Sequence, residues 1–341
     1  MDPQAAVGCL LGTAVGDSLG LPFEGLGARR AARLLGDPLQ HHLLPGRGLV
    51  SDDTEHACFT ARALLLGGGD VDAFGRELAA SLRWWLAGLP AGIGFATLRA
   101  IAKSCVGFPP TRSGVFSAGN GPAMRSPIIG VACGHDRARL KAFVHRSTAI
   151  THTDPKAFHG ALAVALAAHR AVPPGEYLAD LQSMLEGEGA GEMLALAGHA
   201  RDSAAGGEPV ARFAEAIGSR GGISGYMLHT VPCVLQVAFR FPTDFAAGLR
   251  EIISAGGDTD TAGAIYGGIS GARLGKAALP QHALDGIAEW PRSIDWIERL
   301  ATALASGGPP PPYFVPGIPL RNAAFLAIVL AHGFRRLAPP Y

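Results

Sequence analysis

The chain has 341 residues, 48% of them hydrophobic, enough for a sizeable buried core in one large domain or two ordinary ones. Its 29 Lys and Arg against 28 Asp and Glu leave a formal charge of +1, and no basic run interleaves with aromatics, which argues against nucleic-acid binding through bulk charge. Five scattered cysteines (Cys9, Cys58, Cys105, Cys133, Cys233) without a C-x-x-C pair fit reduced thiols packed in a core rather than a disulfide framework.

The chain opens Met-Asp-Pro-Gln with no positive region before the apolar stretch from Val7, so this stretch does not read as a signal peptide. Within it Gly8, Gly12, Gly16 and Gly20 recur every fourth residue, and Gly263, Gly267, Gly271 and Gly275 form a second such row. On a helix, residues four apart share a face, so each row predicts a smooth ridge along which another backbone approaches closely, and the two rows are candidates to pack on each other. Asp17 interrupts the first row, which disfavours a membrane dimer of the GxxxG type.

Helical periodicity continues over 54–66, 71–87, 137–147, 155–170, 176–185, 210–217, 244–254, 260–274 and 281–289. Alternating Val-, Ile- and Thr-rich runs are nearly absent, and the expected fold is all-α. The stretch Gly187 to Glu208 is rich in small residues and ambiguous, while Ser306 to Pro319, with four successive prolines, reads as an extended polyproline-like connector. The apolar run Ala323 to Ala331 is too short to span a bilayer, which needs about 20 residues. The expected organisation is one helical domain over 1–305 with a Pro-rich connector and extension over 306–341 packed on it. The expected setting is soluble, cytoplasmic and monomeric, with no membrane.

Two segments carry candidate chemistry. Ser51-Asp52-Asp53-Thr54 precedes a helical pattern, where Ser51 is a natural N-cap and acids in the first turn suit the helix dipole. Gly256-Gly257-Asp258-Thr259-Asp260-Thr261 repeats the arrangement about two hundred residues later. Either is explained as a cap alone. Together, four carboxylates and the hydroxyls of Ser51 and Thr261 match the all-oxygen ligation that hard divalent cations require, and carboxylates converging without a cation would repel.

Between them, Ser117-Ala118-Gly119-Asn120-Gly121-Pro122-Ala123-Met124-Arg125 is either an ordinary Asn-Gly turn or a loop whose amides approach an anionic ligand. Thr151-His152-Thr153-Asp154-Pro155 precedes a helix, with Asp154 a candidate N-cap and Pro155 at the first helical position. Glu24 follows the first helix, as a surface charge or as a mobile acid/base. His135-Asp136 lacks the upstream histidines of a metal-binding pair, and there is no nucleophile elbow, Walker loop or dinucleotide-binding glycine motif.

In this order GCLLGTAVGDSLGLPFEG, SDDTE, SAGNGPAMR, THTDP and GGDTDTAGAIYGG closely resemble the ADP-ribosylglycohydrolase family, which includes the dinitrogenase reductase-activating glycohydrolases and vertebrate ADP-ribosylhydrolases, over roughly residues 5 to 275. The resemblance implies a single orthogonal multi-helix bundle with a binuclear Mg²⁺ or Mn²⁺ centre at helix N-termini. It implies hydrolysis of the bond between the anomeric carbon of ADP-ribose and an acceptor, most readily on a modified protein. By position Ser51, Asp52, Asp53, Asp258, Asp260 and Thr261 resemble the metal ligands, and Glu24 resembles the family's glutamate after the first helix. Ser117, Gly119, Asn120, Gly121 and His152 resemble the groups that contact the nucleotide. From Leu86 to Ser117, where the acceptor-facing segment is expected, there is no Asp or Glu to meet an arginine acceptor; Arg99, Lys103 and Arg112 stand there instead. O-linked or nucleobase acceptors, another ribosyl compound, or a non-enzymatic structural relative are the alternatives.

Overall fold

The computed structural model describes residues 1–169, 173–337 and 339, and among them there is no β-sheet, only isolated bridges between loops. The described residues fold into eighteen α-helices and two short 3₁₀ turns, as the near absence of alternating patterns requires.

The organising pair is the N-terminal helix, Pro3–Gly20, and the helix Thr259–Leu274. Asp2 caps the first by accepting from the Gln4 amide at 2.9 Å, with Pro3 entering where no amide hydrogen is needed. Every residue from Ala6 to Gly20 is buried. The two helices run antiparallel, and the glycine rows face each other in register. A methyl group on Gly8, Gly12, Gly16 or Gly20 would lie 2.1, 2.2, 2.0 or 2.3 Å from the carbonyl oxygens of Gly271, Gly267, Gly263 and Thr259. No side chain fits at such a spacing. The expectation that the rows pack on each other holds to the last member: a methyl on Gly8 would also stand 2.9 Å from the Gly275 Cα, although Gly275 itself, with φ of 76°, follows the end of its helix and has open space where its own side chain would be.

This register matters for function because it brings Asp17 and the Gly20–Glu24 turn to the end of the helix that starts with Asp258. The Thr259 hydroxyl donates to the Gly20 carbonyl at 2.9 Å, locking that end.

The helices expected at 71–87 and 260–274 appear at Val71–Ala87 and Thr259–Leu274. The helix expected over 155–170 is Pro155–His169, its last residue lying outside the described residues. The ambiguous stretch 187–208 contains a helix, Gly191–Ala205. Helices at Met227–Arg240 and Ile294–Ser306 complete the packing around the central pair.

The larger correction concerns the C-terminal segment. The connector is without regular structure only over 308–314; a turn at 315–316 leads into a helix from Gly317 to Arg335, so Pro319 stands in its first turn, where its missing amide hydrogen costs nothing. By length and hydropathy both this helix and Pro3–Phe23 are long enough to cross a membrane, contrary to the short span expected from 323–331. Pro3–Phe23 is buried throughout the core. The C-terminal helix lies against the domain by one face, with Arg321, Asn322, Phe325 and His332 buried, and leaves Leu320, Leu326, Leu330 and Phe334 exposed.

Candidate active site

All twelve residues singled out from the sequence, Glu24, Ser51, Asp52, Asp53, Ser117, Gly119, Asn120, Gly121, His152, Asp258, Asp260 and Thr261, line one cavity of about 390 Å³. Two helix N-termini, the loops that carry Glu24, Ser117–Gly121, His152 and Gly225, the segment from Ala91 to Thr97 and the C-terminal helix build it.

The first acidic segment begins the helix Asp52–Leu66. Ser51 is its N-cap, accepting from the Asp53 amide at 3.2 Å and donating its hydroxyl to Asp53 Oδ2 at 3.1 Å. Glu55 turns away from the cavity, accepting from Trp85 Nε1 at 2.8 Å and pairing with buried Arg292. Asp17, absent from the candidates, completes the cap. Fully buried, its carboxylate accepts from the Ser51 amide at 2.9 and 3.1 Å, the Thr54 amide at 3.1 Å and the Thr54 hydroxyl at 2.5 Å. Its sequence signal was an ionisable residue inside an otherwise apolar glycine-row helix.

The turn before the second acidic segment is held by backbone contacts. Gly256 and Gly257 have φ of 75° and 88°, and side chains there would strike the carbonyls of Leu26 and Ile223. The Gly257 amide donates to Leu26, its carbonyl accepts from Gly25, and the Asp258 amide donates to Ile223 at 2.7 Å. Asp258 then precedes the first helical turn containing Asp260 and Thr261, and the Thr261 hydroxyl donates to Asp53 Oδ2 at 3.2 Å, joining segments 208 residues apart.

Asn120 links the glycine loop to this floor. Its side-chain amide donates to Asp258 Oδ2 at 2.6 Å and to the Thr230 hydroxyl at 3.0 Å, while its backbone amide donates to Gly225. Gly119 and Gly121 lie against the ring of His152, where added methyl groups would stand 3.1 and 3.3 Å from it. Arg125, quoted in the loop motif but assigned no role, is fully buried and fixes this corner. It donates to the Ser147 carbonyl at 2.7 Å and the Thr151 hydroxyl at 2.6 Å. Thr151 in turn lies 2.9 Å from His152 Nδ1, an arrangement satisfied when the Thr151 hydroxyl donates to Nδ1 and Nε2 carries the proton beside Gly119.

The electrostatics follow from gathering acids away from water. Burial first, and then neighbouring carboxylates, hold Asp52, Asp53 and Asp260 well above the usual carboxylate range. Burial raises Asp17 to about 6 against the opposing hydrogen bonds from Thr54 and Ser51. Glu24 reaches solvent at the cavity edge, yet partial burial and the Asp258 charge raise it too. Glu24, Asp258 and Asp260 each place a carboxylate oxygen within 4.8 Å of the others, so Glu24 belongs to the acidic cluster itself. Burial, then the Arg125 charge, lowers His152 to about 3 and keeps it neutral.

The scaffold and cavity define a class: a helical protein that sets an all-oxygen, carboxylate-rich floor beneath a glycine loop and a neutral histidine. The chain belongs to the ADP-ribosylglycohydrolase family, whose model matches residues 2–311. It is 32% identical over 301 residues to an uncharacterised protein of Archaeoglobus fulgidus, covering 87% of this chain and 94% of that one. It is 29% identical over 288 residues to the ADP-ribosyl-[dinitrogen reductase] glycohydrolase of Rhodospirillum rubrum, covering 81% and 87%. A solved structure titled ADP-ribosylglycohydrolase-related protein complex superposes with a TM-score of 0.61 at 28% identity over 89% of this chain and 98% of that chain.

Proposed function

We propose that this protein is a cytoplasmic, monomeric ADP-ribosylhydrolase that uses two divalent cations, Mg²⁺ or Mn²⁺, to cleave the bond between the anomeric carbon of the distal ribose and an acceptor group on a modified macromolecule, a protein side chain being the default. The observation that carries this reading is the meeting of Ser51-Asp52-Asp53 and Asp258-Thr259-Asp260-Thr261 in one cavity beside the Gly119–Gly121 loop.

The residues fit the cations. Every donor is an oxygen, as hard cations prefer. Asp53 Oδ1 is buried with no hydrogen-bond partner among the described residues, a cost that a cation would remove. Ser51, Asp52, Asp53, Asp258, Asp260 and Thr261 would hold them. Bound there, such cations supply Lewis acidity toward ribose hydroxyls and lower the pKa of a water.

The remaining roles belong to the chain. In the 117–121 loop the Gly119 amide donates to Ser117 Oγ and the Asn120 amide to the Gly225 carbonyl, so the loop's approach to a diphosphate rests on its glycines' lack of side chains, and His152 offers Nε2–H as a neutral donor. Asn120 orients Asp258 by donating to it, and so ties nucleotide contact to the carboxylate floor. Glu24, raised in pKa and open to solvent, is placed to deliver a proton to the departing acceptor and to regain it from the bulk.

The test is release of free ADP-ribose from substrates carrying it on arginine, serine and nucleic-acid bases, with Mg²⁺, Mn²⁺ or chelator. Asp258→Ala is expected to abolish both turnover and calorimetric cation binding. Full activity in that variant, or activity indifferent to chelation, overturns the metal assignment.

A further inference from the structure

Around its carboxylate floor the cavity has walls of two kinds. The C-terminal helix supplies an apolar wall: Phe325 and Val329 line the cavity and cluster with Leu21 apart from the main core. Buried Arg321 fastens this helix, donating to Glu289 at 2.8 Å and to the Val50 carbonyl. The other wall, Phe95 to Thr97 together with Ser117, opens onto a surface of a single charge.

No Asp or Glu occurs from Leu78 to His135, yet this stretch carries Arg83, Arg99, Lys103, Arg112 and Arg125 in a chain whose formal charge is only +1. Arg125 is fully buried beside Thr151, and Arg83 is drawn inward, donating to the Ser104 hydroxyl at 3.0 Å. The other three stand beside the cavity. In the helix Phe95–Cys105, Thr97, Ala100, Ile101 and Ser104 are buried, which turns Phe95, Arg99 and Lys103, four residues apart, along one outer face. Phe95 lines the cavity at 73% exposure, and the Arg99 guanidinium stands 5.5 Å from its ring centre. Lys103 donates to the Gly114 carbonyl at 2.8 Å, which brings the segment from Arg112 to the exposed Phe116 alongside this face.

These cations have no acid of their own. Among the described residues the Arg99 and Arg112 guanidinia have neither an ion pair nor a hydrogen bond, and Lys103 keeps two of the three N–H donors of an ammonium. Several exposed cations elsewhere are matched, as Arg137 is by Asp180, Lys141 by Glu188 and Lys276 by Glu298. Asp154, just past the segment bridged to Val115, accepts from the Lys156 amide of its own helix and pairs with none of the three. The carboxylates lining the cavity belong to the floor and to Glu24, on other segments of the chain.

The spacing fits an extended peptide. Four helical residues rise about 6 Å, close to the roughly 6.8 Å between side chains on one face of an extended chain. Carboxylates two and four residues from a modified side chain held in the cavity reach Arg99 and Lys103 in turn. A nucleic-acid strand is matched less well: one face of the Phe95 ring carries Arg99 and one face of the Phe108 ring carries Lys103, 5.2 Å from its centre, which leaves few open platforms for bases. The alternation Phe95, Arg99, Lys103, Phe108, Arg112, Phe116 is also too widely spaced to show as a basic run. We infer that this face docks an acidic, extended segment of the modified protein, and that Arg99, Lys103 and Arg112 select substrates with carboxylates within about four residues of the ADP-ribosylated side chain. The place of that side chain rests on the hydrolase reading above; the face acts on the residues around the acceptor, not on the acceptor itself.

The test uses the full chain with Mn²⁺ and fluorescein-labelled peptides carrying ADP-ribose on serine or on arginine, flanked at the second and fourth positions on both sides by Glu, by Gln or by Lys. The Glu peptides are expected to exceed the Gln peptides in kcat/KM by about tenfold at low salt, mainly through KM, and by about twofold or less at about 0.5 M NaCl. Arg99→Glu combined with Arg112→Glu breaks no ion pair or hydrogen bond of the fold; it should abolish the preference or turn it toward the Lys peptides, while inhibition by free ADP-ribose stays within about twofold. Arg99→Lys alone should keep the preference. Equal kcat/KM on the three peptides, or a preference that survives high salt or the charge reversal, overturns the inference. Tighter competition by single-stranded DNA than by an unmodified Glu peptide of equal charge overturns the acidic protein as partner. Fluorescence anisotropy of the same peptides with chelator separates the inference from the reading beneath it. Release from no peptide, with binding that still prefers Glu and is lost on charge reversal, overturns the hydrolase reading alone; absence of both release and such binding overturns both.

Discussion

The two sides of the cavity are built by opposite means. The carboxylate floor rests on the glycine seam, where two helices approach until carbonyl oxygens stand where side chains would be, and its Asp258–Thr261 flank is placed mainly by backbone contacts. The apolar wall rests on side chains: an arginine, an asparagine and a histidine reach from one helix to carbonyls and a carboxylate of the domain. Backbone-on-backbone packing tolerates no substitution and holds its geometry by close contact, with one side-chain tie, Thr259 to the Gly20 carbonyl, at its end. Side-chain fastening tolerates change at most positions and fails at a few.

The largest expected effect tests the seam. Gly12→Leu must push the helix pair apart along its length, and we expect a loss of about 5 kcal/mol or more, seen as failure to melt cooperatively. A soluble, cooperatively folded variant would show that the seam yields. Next is the wall's anchor. Glu289→Gln leaves Arg321 buried against a neutral partner, and a loss of about 3 kcal/mol is expected in denaturant titration, with the floor's cation binding retained once folded. Loss of cation binding in the folded variant would mean the two sides are not separable.

Asp17→Ala strips the amides of Ser51 and Thr54 of their acceptor and is expected to cost about 2 kcal/mol. Because Asp17 stands behind the floor rather than in the cavity lining, the smaller part of its effect should fall on KM.

The histidine corner supplies a pH signature. His152 falls from an ordinary 6.5 to about 3 on folding, so between these values the unfolded chain carries a proton that the folded one lacks. Its contribution to stability is therefore complete above about pH 6.5 and is lost as pH falls toward 3. His152→Gln should flatten the fall in unfolding free energy over that window by up to about 1.4 kcal/mol per pH unit. An unchanged slope would place the titration elsewhere, with buried His56, lowered by burial and Arg125, the next candidate. The smallest structural effect expected along the seam is at its end: Gly275→Ala meets open space, so its cost, about 2 kcal/mol in thermal or denaturant unfolding, is that of the backbone conformation alone.

The same contrast decides what could be read from the residues alone. A backbone seam needs glycine at every fourth position, and a turn at positive φ before an acid needs a glycine pair; both leave a trace, so the seam and the two acidic segments were visible, whereas Glu24, the 117–121 loop and His152 took their roles only from the family resemblance. Asp17 was visible but read only as an interruption, because the amides that donate to it lie 34 and 37 residues away. Arg125 and the C-terminal wall left no trace. A buried arginine looks like a surface one until its partners are known, and Phe325 and Val329 belong to a helix of alanine, leucine and isoleucine without strong amphipathic contrast. Its four preceding prolines also concealed where the helix begins.

The seam also bears on how the molecule is made. It joins residue 8 to residue 271, so nearly the whole domain must leave the ribosome before the first helix meets its partner. A nascent chain shorter than about 260 residues displays an apolar, glycine-ridged helix with nothing to lie against. This is the kind of surface that chaperones hold, and synthesis stalled before Asp258 leaves a chain lacking half of its acidic floor.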